Sequence, residues 1–325
     1  MSIAFGSKKV TKDPQRDLKK RGFLYNLIKY HELYIMLIPA VIFFIIFKYL
    51  PMGGIVVAFQ DYLPWNGFES FITSEWVGLK HFHDLFFRHN NFSQILRNSL
   101  TISLLKLIIG FPVPIILALL LNEVKVSWFK RTVQTVTYLP HFLSWVIIYG
   151  LMYNLLNPNY GTINEILKYF GYPIRGFLYE PQYFLFIIIS TFLWQSVGFR
   201  TIIYLAALTG IDPQLYEAAN IDGAGHWKSM IHITIPGLMP TCVMMFTLAI
   251  GGIIGNDFQQ ILMFGDSPLL RQQSRVFEVY AYDVGLRQMN FSFGTAIGLF
   301  QSVIGFIFVL PTNSFARKLG YRGLF

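Results

Sequence analysis

This chain is poor in the residues on which most enzyme chemistry is built. It has one cysteine, Cys242, in 325 residues, which excludes an intramolecular disulfide and any cysteine-based metal centre. Charged residues make up only 13% of it, against 54% hydrophobic and 17% aromatic, and the mean hydropathy is +0.48, too apolar for a soluble domain. The run G-x-x-x-x-G-K-[ST] is missing, so the chain has no phosphate-cradling loop of its own, and energy for any work must come from a partner or a gradient. G-x-S-x-G and H-E-x-x-H are missing too, which leaves no recognisable catalytic constellation and makes a membrane-embedded enzyme a poor reading. The apolar runs lack two-residue alternation, which argues against a membrane β-barrel.

What is present is a series of apolar runs, several of 18 or more residues. They predict an all-α polytopic membrane protein with six transmembrane helices, at about 32–59, 97–122, 132–156, 182–209, 236–263 and 293–315. Pro39, Pro51 and Gly53-Gly54 are expected to bend the first. A polar, aromatic-rich loop fills 60–96, and a second loop, 157–181, carries Asn157-Pro158-Asn159 and Gly171-Tyr172-Pro173.

The formal net charge of +9 raises the question of nucleic acid, but its distribution points to lipid. Eight of the 26 Lys and Arg lie in residues 1–30: Lys8, Lys9, Lys12, Arg16, Lys19, Lys20, Arg21 and Lys29. Residues 1–31 therefore read as a basic tail facing anionic membrane lipid in the cytoplasm, and 32–325 as the membrane domain. The tail has no apolar signal-peptide core, so the first span is expected to be an uncleaved anchor. Loop charges agree: Asp61, Glu69, Glu75 and Asp84 outweigh Lys80 and Arg88 outside, while Lys125, Lys130 and Arg131, then Arg317, Lys318 and Arg322, lie inside. Both termini are thus expected in the cytoplasm. Residues 210–235 disobey, with Asp212, Glu217 and Asp222 against Lys228 on the side where basic residues belong. Either the flanking loops already set topology, or these charges serve a protein partner.

That loop has a readable local structure. Asp212-Pro213 is a helix start, an N-cap followed by proline at the first helical position. A short helix to about Ile221 places Tyr216, Ala219 and Asn220 near one face. Asp222-Gly223 ends it, and a second amphipathic segment from Ala224 to Thr234 leads into Pro236. His226 and His232 have helical spacing but no further ligands, a weak signal for a metal.

The stretch Tyr216–Pro240 resembles the EAA loop of bacterial ABC importer permeases, with Glu217-Ala218-Ala219, Asp222-Gly223-Ala224, then Ile233-x-Ile235-Pro236 and Pro240; Ile235 stands where the family usually has Leu. The resemblance extends over nearly all of the chain after residue 30. Pro51-Met52-Gly53-Gly54 with Ala58-Phe59-Gln60-Asp61-Tyr62, Trp76-Val77-Gly78-Leu79 with His81-Phe82, and Leu96-Arg97-Asn98-Ser99-Leu100 are similar to the carbohydrate-uptake permeases of maltose-transporter type, particularly the LplB-like branch. So are Trp194-Gln195, Leu205-Ala206-Ala207-Leu208 and Gly298-Leu299-Phe300-Gln301-Ser302-Val303. The resemblance implies a type I ABC importer permease fold with a cytoplasmic coupling helix, and transport of sugars, oligosaccharides or polysaccharide fragments, with uronates such as alginate among them. It implies a second homologous permease, two ATP-binding subunits that hold ATP and Mg, and an extracytoplasmic substrate-binding protein, in a bacterial cytoplasmic membrane. It also implies that Glu217, Ala218, Ala219, Asp222, Gly223, Ala224, Gly225, His226 and Trp227, within the loop 212–235, make or shape the ATPase contact. A permease for another solute class, or a gradient-driven carrier titrating Asp257 or His141, are the alternatives.

Polar groups inside spans are costly and mark candidate path residues. Lys106, His141, Gln195 and Arg200 stand within the expected helices, and Asn256, Asp257, Gln259 and Gln260 are expected near the outer end of the fifth. Trp194 with Gln195 offers an aromatic face and an amide for a sugar, and Tyr149 and Tyr153 add stacking surface. The competing reading is ordinary interhelical hydrogen bonding, or snorkelling by Lys106 and Arg200.

Overall fold

The computed structural model describes residues 25–26, 29–88, 91–318, 320, 321 and 323. Of the expected basic tail, residues 1–24 and 27–28, with all its Lys and Arg except Lys29, lie outside the described residues, as does Arg322. The chain divides into two units, Met1–Val56 and Val57–Phe325. The described part of the first is dominated by α1 (His31–Phe44), which continues through a π turn at Ile45–Tyr49 and a short helix at Leu50–Met52. Pro39 lies within α1, and the π turn falls between it and Pro51, where proline removes backbone donors. Gly53–Phe59 is a 3₁₀ segment, and His31–Phe59 is long and apolar enough to cross a membrane.

In the second unit the expected polar loop 60–96 contains a two-stranded antiparallel ribbon, β1 (Gln60–Asp61) and β2 (Glu75–Trp76), pairing Gln60 with Trp76. The buried His81 ring fastens it through a 3.0 Å bond to the Gln60 carbonyl. The next span begins earlier than expected, with α2 (Phe92–Gly110) running into α3 (Pro112–Glu123). Phe92–Glu123 passes as one apolar span.

The third span departs most from expectation. Residues 132–156 are not one helix but two, α4 (Ser127–Tyr138) with a 3₁₀ turn at Leu139–Phe142, then α5 (Trp145–Leu156), bent by 105°. Pro140 lies in the turn, Leu143 is extended, and Ser144 caps the new helix by accepting from the Ile147 N–H. His141 is therefore in the elbow, its ring stacked 4.0 Å from that of Phe199. After α6 (Thr162–Tyr169) comes α7 (Pro181–Thr209), which packs against α2, α3 and α4 and supplies much of the core, including Phe184, Ile187, Ile188, Phe192, Tyr204 and Leu208. Gly198 permits the tightest of these contacts, since a Cβ there would sit 2.0 Å from the Thr137 carbonyl oxygen.

Beyond α7 come α8 (Pro213–Ile221) and α9 (His226–Ser229), which passes through a π turn at Met230–Thr234 into α10 (Ile235–Gly251). The expected fifth helix to 263 ends instead at Gly251. Gly252 forms its C-cap, and Asp257 caps a separate helix, α11 (Phe258–Phe264), by accepting from the Gln260 N–H. Asn256–Gln260 thus lie in and just after a break rather than at the end of a continuous helix. α12 (Phe277–Tyr282) precedes α13 (Phe291–Lys318), which packs on α10 and α12. The α10–α13 crossing is close at two glycines, because a Cβ on Gly305 would approach the Gly251 carbonyl oxygen to 2.5 Å. Among the described residues, five helices are long and apolar enough to cross a membrane, and the bent pair makes six.

Candidate functional site

Two places in the second unit gather the residues singled out in the sequence. The first is the loop between α7 and α10. Asp212 starts α8 as expected, its carboxylate accepting from the Gln214 N–H at 2.9 Å. The helix then closes with a glycine left-handed cap. Gly223, at φ +71°, donates its N–H to Asn220 O at 3.1 Å, and Ala224 donates to Ala219 O at 2.8 Å. A Cβ at Gly223 would meet nothing within 4 Å, so the glycine answers to backbone angle and not to crowding.

The loop is tied to the bundle at two points. The Tyr216 and Thr234 hydroxyls share a 3.0 Å hydrogen bond, joining α8 to the root of α10. His226 Nε2 meets the carboxylate of Glu123, the last residue of α3. Sequence reasoning missed Glu123, for it lies 103 positions from its partner and belongs to no motif. The face expected to hold Tyr216, Ala219 and Asn220 is narrower than that, since Asn220 is exposed. Outward stand Leu215, Glu217, Ala218, Ile221, Asp222, Gly225 and Trp227, with Ile221 87% and Trp227 74% exposed.

The second place is a polar knot at the break after α10. Gln260 is fully buried and fully committed, because its Oε1 accepts from Lys106 Nζ at 2.7 Å and its Nε2 donates to Ile188 O at 2.8 Å and Thr191 Oγ1 at 3.0 Å. Asp257 Oδ2 accepts from Trp145 Nε1 at 2.6 Å. Asn256 accepts from Ser103 Oγ at 3.3 Å and donates its own N–H to Glu278 Oε1 at 2.7 Å, and that carboxylate also accepts from Gln301 Nε2 at 2.8 Å. Residues from α2, α5, α7, α11, α12 and α13 are thereby joined across the break, where freed backbone groups need partners.

The remaining candidates lie elsewhere. Gln259 is exposed, and Trp194 and Gln195 make no hydrogen bond among the described residues. Consecutive residues on α7 point about 100° apart, so Trp194 and Gln195 do not present one shared face. Tyr149 and Tyr153 are half-buried in an aromatic group, with Tyr149 edge-on to Phe264 at 5.2 Å and Tyr153 edge-on to Tyr160 at 6.4 Å. Burial, and then a hydrogen bond with Tyr153, push the Tyr179 phenol above its ordinary range.

Beside the knot is a cavity of about 260 Å³ lined by Ser103, Lys106, Phe192, Arg200, Gly252 and Gly255, among others. Lys106 Nζ and Arg200 Cζ each lie 5.0 Å from the centroid of the Phe192 ring. The ring is held by α2, where Gly110 leaves room that a Cβ would fill at 2.6 Å. Lys106 stands roughly 21 Å along its span from Phe92, near the middle. A cation there costs about 2.5–3.5 kcal/mol. For Lys106 a charged hydrogen bond and a cation–π contact return about as much. Arg200 has the ring alone, with no hydrogen bond or ion pair among the described residues.

These features can be set beside known proteins. Residues 110–321 match the family model described as binding-protein-dependent transport system inner membrane component. The chain is 44% identical to the polygalacturonan/rhamnogalacturonan transport system permease protein YteP of Bacillus subtilis (strain 168), over 94% of each chain. It is 41% identical to the protein LplB of the same organism, over 90% of this chain and 91% of that one. Among solved structures, it is similar to a chain in the crystal structure of a bacterial alginate ABC transporter in complex with alginate pentasaccharide-bound periplasmic protein. The TM-score is 0.82 at 36% identity, covering 93% of this chain and 99% of that one. A second crystal structure, of a bacterial ABC transporter involved in the import of the acidic polysaccharide alginate, gives a TM-score of 0.81 at 37% identity, over 91% and 98%. The chain is a multi-pass membrane permease subunit of the ABC-importer type and belongs to the family of binding-protein-dependent transport system inner membrane components.

Proposed function

We propose that this chain is one permease half of an ATP-driven importer for oligosaccharides or polysaccharide fragments. The observation that carries the reading is the loop 212–235. It is internally capped, fastened to α3 and α10, and yet presents Ile221 and Trp227 to the outside. Covering either side chain with a partner is worth about 1.5–3 kcal/mol, enough to hold a docked knob through a cycle. Glu217, exposed on the same helix, offers a charge for a basic group on that partner.

In this reading two ATP-binding subunits, which hold ATP and Mg, grip the loop in the cytoplasm. Their closure pulls on α8, and the Tyr216–Thr234 bond and the helical run from His226 to Gly251 carry the displacement into the membrane. The His226–Glu123 contact carries it to α3. A second, homologous permease completes the pathway, and an extracytoplasmic binding protein delivers substrate. Alternating access then needs only two arrangements of these helices, biased by the nucleotide state of the ATPases. Both termini are cytoplasmic, with the basic tail of residues 1–31 against anionic lipid. The likeness to permeases of polygalacturonan and alginate systems supports sugars over other solutes.

The test is purification of the chain from its native membrane, with the co-purifying subunits identified and ATP hydrolysis measured. An associated ATPase that is lost or uncoupled by Glu217→Lys with Gly223→Pro is the expected result. A stable chain without an ATPase partner, transporting on a gradient alone, would overturn the proposal.

A further inference from the structure

The connection between α5 and α7 is built around α6 (Thr162–Tyr169), to which the importer reading gives no task. Two sequence motifs frame it. Asn157, the C-cap of α5, starts the entry turn by accepting from the Asn159 N–H at 2.9 Å. Gly171, at φ +76°, closes the helix, donating to Lys168 O at 3.0 Å while Tyr172 donates to Leu167 O at 2.9 Å. Asn164 then fastens α6 to the chain on both sides. It is buried, and its side chain donates to Asn157 O at 3.1 Å and Arg175 O at 2.9 Å and accepts from the Arg175 N–H at 2.9 Å. Gly161 is packed so closely that a Cβ there would stand 2.4 Å from Asn157 O. The helix is therefore held in one orientation at the end of α5.

In that orientation its residues sort into stripes with helical three-and-four spacing. Gly161 and Asn164 face the protein. Ile163, Ile166 and Phe170 form an exposed apolar stripe, and Thr162, Glu165 and Tyr169 an exposed polar one, about 100° away round the axis. The segment leaves α5 at Leu156 and enters α7 at Pro181, so α6 lies where two membrane-spanning segments emerge. Lys168 and Arg175 beside it carry the charge that phosphate headgroups attract, and exposed Tyr160 and Tyr172 are of the type enriched at a membrane–water boundary. Three apolar side chains are few for a stable protein interface, which takes about 20–30 residues a side. They suit a helix lying in the membrane surface, its apolar face about 5–10 Å deep.

We propose that α6 is a membrane-surface helix whose partner is the phospholipid of the leaflet opposite the coupling loop. Ile163, Ile166 and Phe170 enter the acyl region, Glu165 stays in water, and Lys168 and Arg175 meet phosphates. The helix thereby holds the end of α5 and the start of α7 at one depth in the bilayer.

The experiment uses the complete transporter in vesicles of phosphatidylethanolamine and phosphatidylglycerol, with Cys242→Ser and the cysteines of the other subunits replaced. Nitroxide labels are placed in turn at positions 163, 166 and 170, and at 162 and 165. Their collisions with oxygen, which concentrates in lipid, are compared with those of a water-soluble nickel chelate. The logarithm of the oxygen-to-nickel ratio is expected to change sign, positive along the apolar stripe and negative at 162 and 165. A second reading uses the unaltered complex and a phospholipid with a photoreactive diazirine in its acyl chain, which is expected to label the apolar stripe of α6. Three results would overturn the proposal. Nickel reaches both stripes alike, which would leave the helix in water; neither reagent reaches the apolar stripe, which would assign it to the binding protein or the second permease; or the lipid probe labels α5 and α7 without α6. The lipid probe needs no variant, so a misfolded mutant leaves the test intact. None of these readings depends on an ATPase partner, so the failure of the importer reading would show separately.

Discussion

Gly223 offers the sharpest test of how the loop is built. Its φ of +71° is reached by glycine at no steric cost, whereas other L-residues give up about 1–2 kcal/mol there. A Cβ at this position meets no atom within 4 Å, so Gly223→Ala introduces strain without a clash. The strain falls on the cap, because the left-handed residue is what lets the Gly223 and Ala224 N–H groups reach Asn220 O and Ala219 O. A loss of about 1–2 kcal/mol corresponds to a five- to thirtyfold rise in the open population of the cap. Amide hydrogen exchange at residues 223 and 224 should therefore accelerate by that factor in the alanine variant. Gly223→Asn should give a smaller rise, because asparagine tolerates the left-handed region. Gly223→Pro should give a larger one at residue 224, the amide left to follow, because proline is locked near −65° and lacks the N–H that bonds Asn220. Global thermal stability should move little, since the loop is exposed. Equal exchange in the alanine and asparagine variants, or an unchanged rate in alanine, would refute the account of Gly223 as a conformational requirement.

Gly198→Ala should lower the thermal midpoint in detergent by an amount equivalent to about 1–3 kcal/mol, because its Cβ would stand 2.0 Å from the Thr137 carbonyl oxygen; an unshifted midpoint would mean that α4 and α7 separate freely. Gln260→Leu should cost about 1–3 kcal/mol by taking away the acceptor of the Lys106 ammonium and the amide donation to Ile188 O and Thr191 Oγ1, whereas Gln259→Leu at the exposed neighbour should cost under about 0.5 kcal/mol, and comparable losses would remove the knot as a stabilising element. His226→Ala and Glu123→Ala, combined in a double-mutant cycle on thermal stability, should couple by less than about 1 kcal/mol because the histidine is largely exposed; the variants should nonetheless weaken the response of ATP hydrolysis to substrate, and a full response would leave the α3 tie without a role in transmission.

The length of the apolar runs and local backbone rules made much of this protein legible. Six apolar segments, the capped helix at Asp212-Pro213 and the turn at Gly223 can be read locally, because each depends on a handful of consecutive residues and on backbone rules that hold wherever the segment sits. The elbow at Pro140–Ser144 and the break after Gly251 were hidden inside apolar runs, where hydropathy reports the distance from water and not the path of the backbone. Only the tertiary structure paired Lys106 with Gln260, 154 residues away, His226 with Glu123, and both cations with one ring. A charge inside an apolar run declares in the sequence that it must be compensated. Whether the compensation is a glutamine or an aromatic face depends on which helices meet there, and close contacts such as Gly198 against Thr137 and Gly305 against Gly251 decide that in three dimensions.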